Sequence, residues 1–107
     1  MKLDTLKGQL ELVALAALGD GPRHGYAIIK TIRERSDGVF ELLEGTLYPA
    51  LHRLERAGLM RSSWVTEGGR RRRVYELTRQ GRRALAEQES EWRRFVRTLD
   101  AVLASAP

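Results

Sequence analysis

Residues Gly45 to Leu59 read GTLYPALHRLERAGL, and Glu67 to Thr78 read EGGRRRRVYELT. These two stretches decide the fold. In the first, Leu47, Leu51 and Leu54 recur at helical spacing and share one face. The spacing predicts a helix over 45–58, with Pro49 expected in the first turn, where a missing N–H has no intrahelical acceptor to lose. In the second, residues 60–66 and 71–77 are rich in Val, Trp and Tyr and are joined by Glu67-Gly68-Gly69-Arg70, a hairpin signal. Alternation along the strand puts Arg71 and Arg73 on one side of that hairpin.

Working outward, "RHGYAIIKTIRERS" predicts a helix over about 24–36. Tyr26, Ile28, Ile29 and Ile32 form its inner face, and Lys30, Arg33 and Arg35 point away. Asp37-Gly38 breaks it. An earlier helix is expected from about Thr5 to Gly19, capped by Asp4 or Thr5. Its apolar residues cover more than one face: Leu3, Leu6, Leu10, Val13 and Ala17 on one side, Leu12, Ala14, Leu15 and Leu18 around the rest. Its own domain can cover one side, and a second chain would cover the other. Thr78 is placed to cap a last helix running to about Ala104. Leu85, Gln88, Trp92, Phe95, Leu99 and Val102 are spaced along it as a coiled-coil seam. A narrow apolar stripe on so long a helix implies a homodimer.

The order helix, helix, helix, hairpin, long helix is the plan of a winged helix-turn-helix followed by a dimerisation helix. The fold class is mainly α with one small β-hairpin. The expected division is a DNA-binding domain over 1–78 and a C-terminal dimerisation helix over 79–107.

The totals agree. At 107 residues and 42% hydrophobic, the chain can form one small core. Its 19 Lys+Arg against 14 Asp+Glu leave a formal charge of +5, and the pI is near 10.2. A basic chain favours a polyanionic partner, nucleic acid first and an acidic membrane surface second. There is no cysteine, which excludes disulfides, cysteine nucleophiles and thiolate metal sites. The two histidines, His24 and His52, make no zinc site, and no cofactor is expected. No serine-histidine-aspartate set, phosphate-binding loop or metal-ligand spacing is present, so no enzyme is expected. The apolar run Leu10–Leu18 is too short to span a bilayer and contains Glu11, so the protein is expected to be cytoplasmic.

In a helix-turn-helix pair the second helix enters the major groove. Here that helix offers Thr46, Tyr48, Pro49, His52, Arg53 and Arg56 on its outer face. Thr46 suits base edges or a thymine methyl, Tyr48 a phosphate, and Arg53 and Arg56 phosphates or a guanine. The wing offers Arg70, Arg71 and Arg73 for phosphates or the minor groove. Trp92 either fills the dimer seam or stacks a flat ligand there. Gln88, the polar seam residue, either fixes register or hydrogen-bonds the same ligand.

Three segments, "KGQLELVALAALGDGPRHGYAII", "EGTLYPALHRLERAGLM" and "GGRRRRVYELTRQGRRAL", together resemble the PadR-type transcriptional regulators, and the length resembles the short subgroup with one C-terminal helix. The resemblance covers nearly the whole chain. It implies a bacterial, homodimeric, winged-helix repressor that binds a near-palindromic operator on double-stranded DNA. It implies dimerisation through the first and last helices, here Leu6, Leu10 and Val13 with Leu85, Gln88, Trp92, Phe95, Leu99 and Val102. It also implies that Tyr26, Thr46, Tyr48 and Pro49 lie at or beside the DNA face, and that some members take a small-molecule effector against a tryptophan on the last helix. Val74 departs from the family's pattern, which has a tyrosine ahead of Tyr75. The competing reading is a winged helix used as a protein-interaction module without DNA.

Overall fold

The computed structural model describes residue 6 and residues 8–104. The described elements run α1 (Leu10–Ala16), β1 (Arg23–His24), α2 (Gly25–Arg35), α3 (Glu44–Arg56), β2 (Met60–Glu67), β3 (Arg70–Leu77) and α4 (Arg79–Ala104). The sheet order is β1-β3-β2, all antiparallel, so β3 lies in the middle. The expected caps Asp4 and Thr5, and Leu3, lie outside the described residues.

The core is one cluster at the junction of the three short helices and the base of the sheet. Leu15, Ile28, Leu47, Leu51 and Leu54 are its largest fully buried side chains, with Met60, Tyr75 and Leu77 closing it from the sheet. Burying a leucine of this kind contributes about 1.5–3 kcal/mol, so Leu47, Leu51 and Leu54 suffice to hold α3 by one face and leave its opposite face free.

Glycines set the ends of α3 and α4. After α3, Gly58 has φ 78°, its N–H donates to Glu55, and the N–H of Leu59 donates back to Leu54 at 2.9 Å. This is a Schellman stop, which needs the left-handed conformation that glycine adopts without strain. Thr78 then starts α4: its hydroxyl accepts from the N–H of Gly81 at 3.0 Å and donates to the carbonyl of Gly58 at 2.6 Å. A side chain at Gly81 would overlap the carbonyl of Leu59. The hairpin turns on Gly68 and Gly69, φ 56° and 79°, the two-residue turn whose twist matches that of the flanking strands.

Three expectations change. Leu6 and Leu10 are 4% and 7% exposed within the single chain, in the same cluster as Leu15 and Ile28. They are therefore core residues and not partner-facing ones, because α1 is covered by α2, α3 and α4 of its own chain. Leu85 likewise packs on that core, one methyl group lying 3.3 Å from where a side chain at Gly19 would begin. Tyr26, expected on the inner face of α2, is 62% exposed; Ile28 and Ile32 supply that face. Pro49 does not lie in the first turn. The helix begins at Glu44 after an extended Leu43, so Pro49 is the sixth helical residue. It removes the donor that would reach the carbonyl of Gly45 four residues back, and a glycine at that position gives the backbone most freedom to relax around the proline ring.

Beyond the core, α4 borders a cleft with α1 and Arg53 as far as Phe95 and then projects. Its 26 residues measure about 39 Å, and only its first two turns touch the core through Gly81 and Leu85. The radius of gyration, 15.6 Å, exceeds the roughly 13 Å of a compact chain of this length for that reason. Its C-terminal half carries an exposed stripe of Trp92, Phe95, Leu99, Val102 and Leu103, in which Trp92 and Phe95 stack with ring centres 5.7 Å apart.

Candidate nucleic-acid interface

Down the axis of α3, the exposed residues form one arc. It starts at Glu44 and Tyr48 on the wing side, passes His52, Gly45, Arg56 and Pro49, and ends at Arg53 and the half-buried Thr46 on the α1 side. The two edges differ in what they meet.

The Tyr48 edge faces the wing. The Tyr48 ring lies over Gly25 at the start of α2, where a side chain would meet the tyrosine oxygen at 2.5 Å. Burial, and then the nearby Glu44 carboxylate, raise the pKa of the Tyr48 phenol, so its hydroxyl stays a donor. Burial likewise raises that of Tyr75 behind it. His24 caps α2, its Nδ1 accepting the N–H of Ala27 at 3.2 Å. The motif His24-Gly25-Tyr26 thus becomes three separate devices: a cap, a gap for Tyr48 and an outward aromatic.

The wing approaches the same place. Its inner face continues the core face of the sheet, in cross-strand pairs Met60–Leu77, Ser62–Tyr75, Trp64–Arg73 and Thr66–Arg71. Where the core ends, Trp64 takes over: the guanidinium of Arg71 lies 4.7 Å from its ring centre and that of Arg73 5.3 Å. Arg73 also reaches Glu55 of α3 at 3.8 Å, tying wing to helix. Arg71 and Arg73 do share one side. On the other, Glu67 opposes Arg70 and Val65 opposes Arg72, and Arg72 lies 3.0 Å from Nε2 of His24. The result is a groove of about 720 Å³ between α3 and the wing, walled by Tyr26, Tyr48, Trp64 and Tyr75 and by the four wing arginines.

The Arg53 edge is turned elsewhere. Its guanidinium donates to Glu11 of α1 at 3.2 Å. Both line a second cleft of about 580 Å³ with Gln88, Trp92 and Phe95. Arg53 therefore lies on the exposed outer face of α3, where the sequence placed it, but at the edge away from the wing and Tyr48. Sequence reading missed Trp64, Glu55 and Gly25 as parts of the interface. The register of an aromatic opposite Arg73 was a usable signal for Trp64; the other two depend on which elements meet.

Among the described residues, no group of three or more His, Asp or Glu could hold a metal ion, and no helix is long and apolar enough to cross a membrane.

Three short helices, a wing and a basic groove beside the free face of the third helix define a winged helix-turn-helix protein. Residues 14–87 match the family model described as the transcriptional regulator PadR-like family. The chain belongs to this family of transcriptional regulators. It is 49% identical over 55 residues to the transcriptional regulator Rv3488 of Mycobacterium tuberculosis, covering 51% of each chain. A solved transcriptional regulator from Clostridium thermocellum superimposes with a TM-score of 0.84 at 30% identity, covering 94% of this chain and 96% of that one. A PadR family transcriptional regulator from Eggerthella lenta gives 0.82 at 32%, covering 97% and 89%.

Proposed function

We propose that this regulator is a cytoplasmic homodimeric repressor that reads a near-palindromic operator, with α3 in the major groove and the wing on the adjoining backbone. The observation that carries the reading is the groove between Tyr48 and Trp64, where four arginines gather beside the exposed outer face of α3. Tyr26, Thr46, Tyr48, Pro49, His52 and Arg56 form the helix side of the contact, and Arg70, Arg71 and Arg73 the wing side. Function rests on binding and not on catalysis.

Residues 1–78 form the DNA-binding unit and 79–107 the dimerisation helix. The dimer seam is Trp92, Phe95, Leu99 and Val102, with Leu103, and with Val13 and Gln88 at its margin. An apolar stripe that a chain of this size leaves uncovered supports burial against a second copy. Two protomers would set their α3 helices in successive major grooves about 34 Å apart.

The test is fluorescence anisotropy with DNA from upstream of the protein's own gene and with scrambled DNA. Specific binding should weaken steeply with salt as arginines release counterions. Substituting Tyr48 or His52 should weaken binding and leave the dimer intact. Salt-independent binding, or none, would favour the winged helix as a protein-interaction module.

One observation favours a ligand-responsive form of this reading. The cleft beside Trp92 and Gln88 also contains Glu11 and Arg53, and Arg53 belongs to α3. A flat effector on Trp92 would displace or shift that ion pair and so reach the reading helix. Quenching of Trp92 emission by planar compounds, compared with a Trp92→Phe control for the Trp64 background, tests it.

A further inference from the structure

Trp64 is a large aromatic residue on the exposed part of the wing, 55% exposed, and the core makes no use of it. Two guanidiniums rest on its ring, those of Arg71 and Arg73, which are two residues apart on one face of β3. That spacing is about 6.8 Å along the strand, close to the separation of neighbouring phosphates on one DNA strand. Like charges this close repel, and long arginine side chains at a hairpin otherwise spread into solvent. Attraction to the face of a tryptophan holds them together. The ion pair of Arg73 with Glu55 then sets the height of the pair relative to α3.

We infer that Trp64 is a positioning residue for DNA binding. It holds Arg71 and Arg73 as a preassembled pair on the α3-facing side of the wing, aimed at successive phosphates of a single strand whose bases α3 reads. The backbone would run through the groove between Trp64 and Tyr48. This rests on the DNA-binding reading above. Its physical advantage is preorganisation: the cost of gathering two mobile cations is met within the folded wing and not at the moment of binding.

The test uses the full-length protein and operator DNA. Trp64→Leu should weaken binding about tenfold and lower the slope of log affinity against log salt by one to two, since one or two phosphate contacts are lost. Trp64→Phe keeps an aromatic face and should restore affinity to within about threefold of wild type and restore the slope. In the Trp64→Leu background, Arg71→Gln should cost much less than it does in wild type. Before any DNA is added, NMR should show the side-chain protons of Arg71 and Arg73 shifted upfield by the indole ring, and Trp64→Leu should abolish that shift.

Wild-type affinity and slope in Trp64→Leu would overturn the inference, as would a Trp64→Phe variant as weak as Trp64→Leu. If the ring-current shifts are present and wild type binds no DNA, the DNA-binding reading fails and the arginine pair on Trp64 is real. If the shifts are absent and wild type binds DNA, the inference fails alone.

Discussion

The ring of Tyr48 on α3 lies against Gly25, the first residue of α2, so closely that a Cβ at Gly25 would meet three of its ring and hydroxyl atoms at 2.5–2.8 Å. This contact couples the start of one helix to the outer face of the next, and it orients the aromatic at the centre of the proposed DNA surface.

Gly25→Ala should therefore leave the fold in place and lower DNA affinity by about tenfold. Alanine favours the helix by roughly 0.5–1 kcal/mol over glycine, which offsets part of the steric cost, while Tyr48 must swing out of the groove. Thermal melts and anisotropy on the same preparation check it. A large loss of stability with unchanged affinity per folded molecule would contradict the role given to the contact.

Gly81→Ala should act on stability instead. The added Cβ would overlap the Leu59 carbonyl, which is backbone and already accepts the N–H of Thr78. Overpacking against an immobile group costs about 1–3 kcal/mol or more. Denaturant melts should show a clear drop in midpoint, and the neighbouring, exposed Arg82→Ala should not.

Pro49→Ala should raise stability, because a proline inside a helix costs on the order of 3 kcal/mol, although glycine at position 45 absorbs some of that. Operator binding should fall or lose sequence preference, since the shape of the exposed helix face changes. Melting temperature and a competition assay with scrambled DNA separate the two effects.

Asp20 predicts a pH effect. The Arg23 guanidinium foremost, at 2.6 Å, and Arg35, at 3.2 Å, hold its carboxyl well below the usual carboxylate range. The same arginines donate to the carbonyls of Ala17 and Ala16, so the cluster clasps the end of α1 to β1 and α2. A carboxyl whose folded pKa is lowered contributes stability above its unfolded pKa, near 3.9, and loses it as pH falls through the folded value. Asp20→Asn should thus be less stable than wild type at pH 7, with the gap closing below about pH 4 and vanishing in strong acid. A gap that stayed constant with pH would assign the effect to geometry and not to charge.

Leu10→Ala and Leu99→Asp should divide stability from assembly. The first opens a cavity in the core and should cost about 2–5 kcal/mol. The second places a charge on the exposed stripe of α4 and should shift sedimentation from dimer toward monomer. If Leu10→Ala alone dissociated the dimer at unchanged protomer stability, the packing of α1 within its own chain would be in error.

Much of this architecture was written in local pattern. The leucines of α3, the Gly68-Gly69 turn, the capping Thr78 and the apolar stripe of α4 are each specified by residues within a few positions of one another, because helical period, turn conformation and capping are short-range effects. The alternation that puts Arg71 and Arg73 on one face is likewise local. Only the tertiary structure decided where these faces went. Two sides of α1 are apolar, and whether a partner or the chain's own α2, α3 and α4 covered Leu6 and Leu10 depended on packing between distant segments. Pro49 had its position within the helix set by an extended Leu43, which no periodicity marks. Arg53 and Tyr48 lie five residues apart on one outer face, yet α1 claims one and the wing claims the other. The tryptophan that gathers the wing arginines stands out only once β2 and β3 are in register, because a cross-strand contact exists through space and not along the chain.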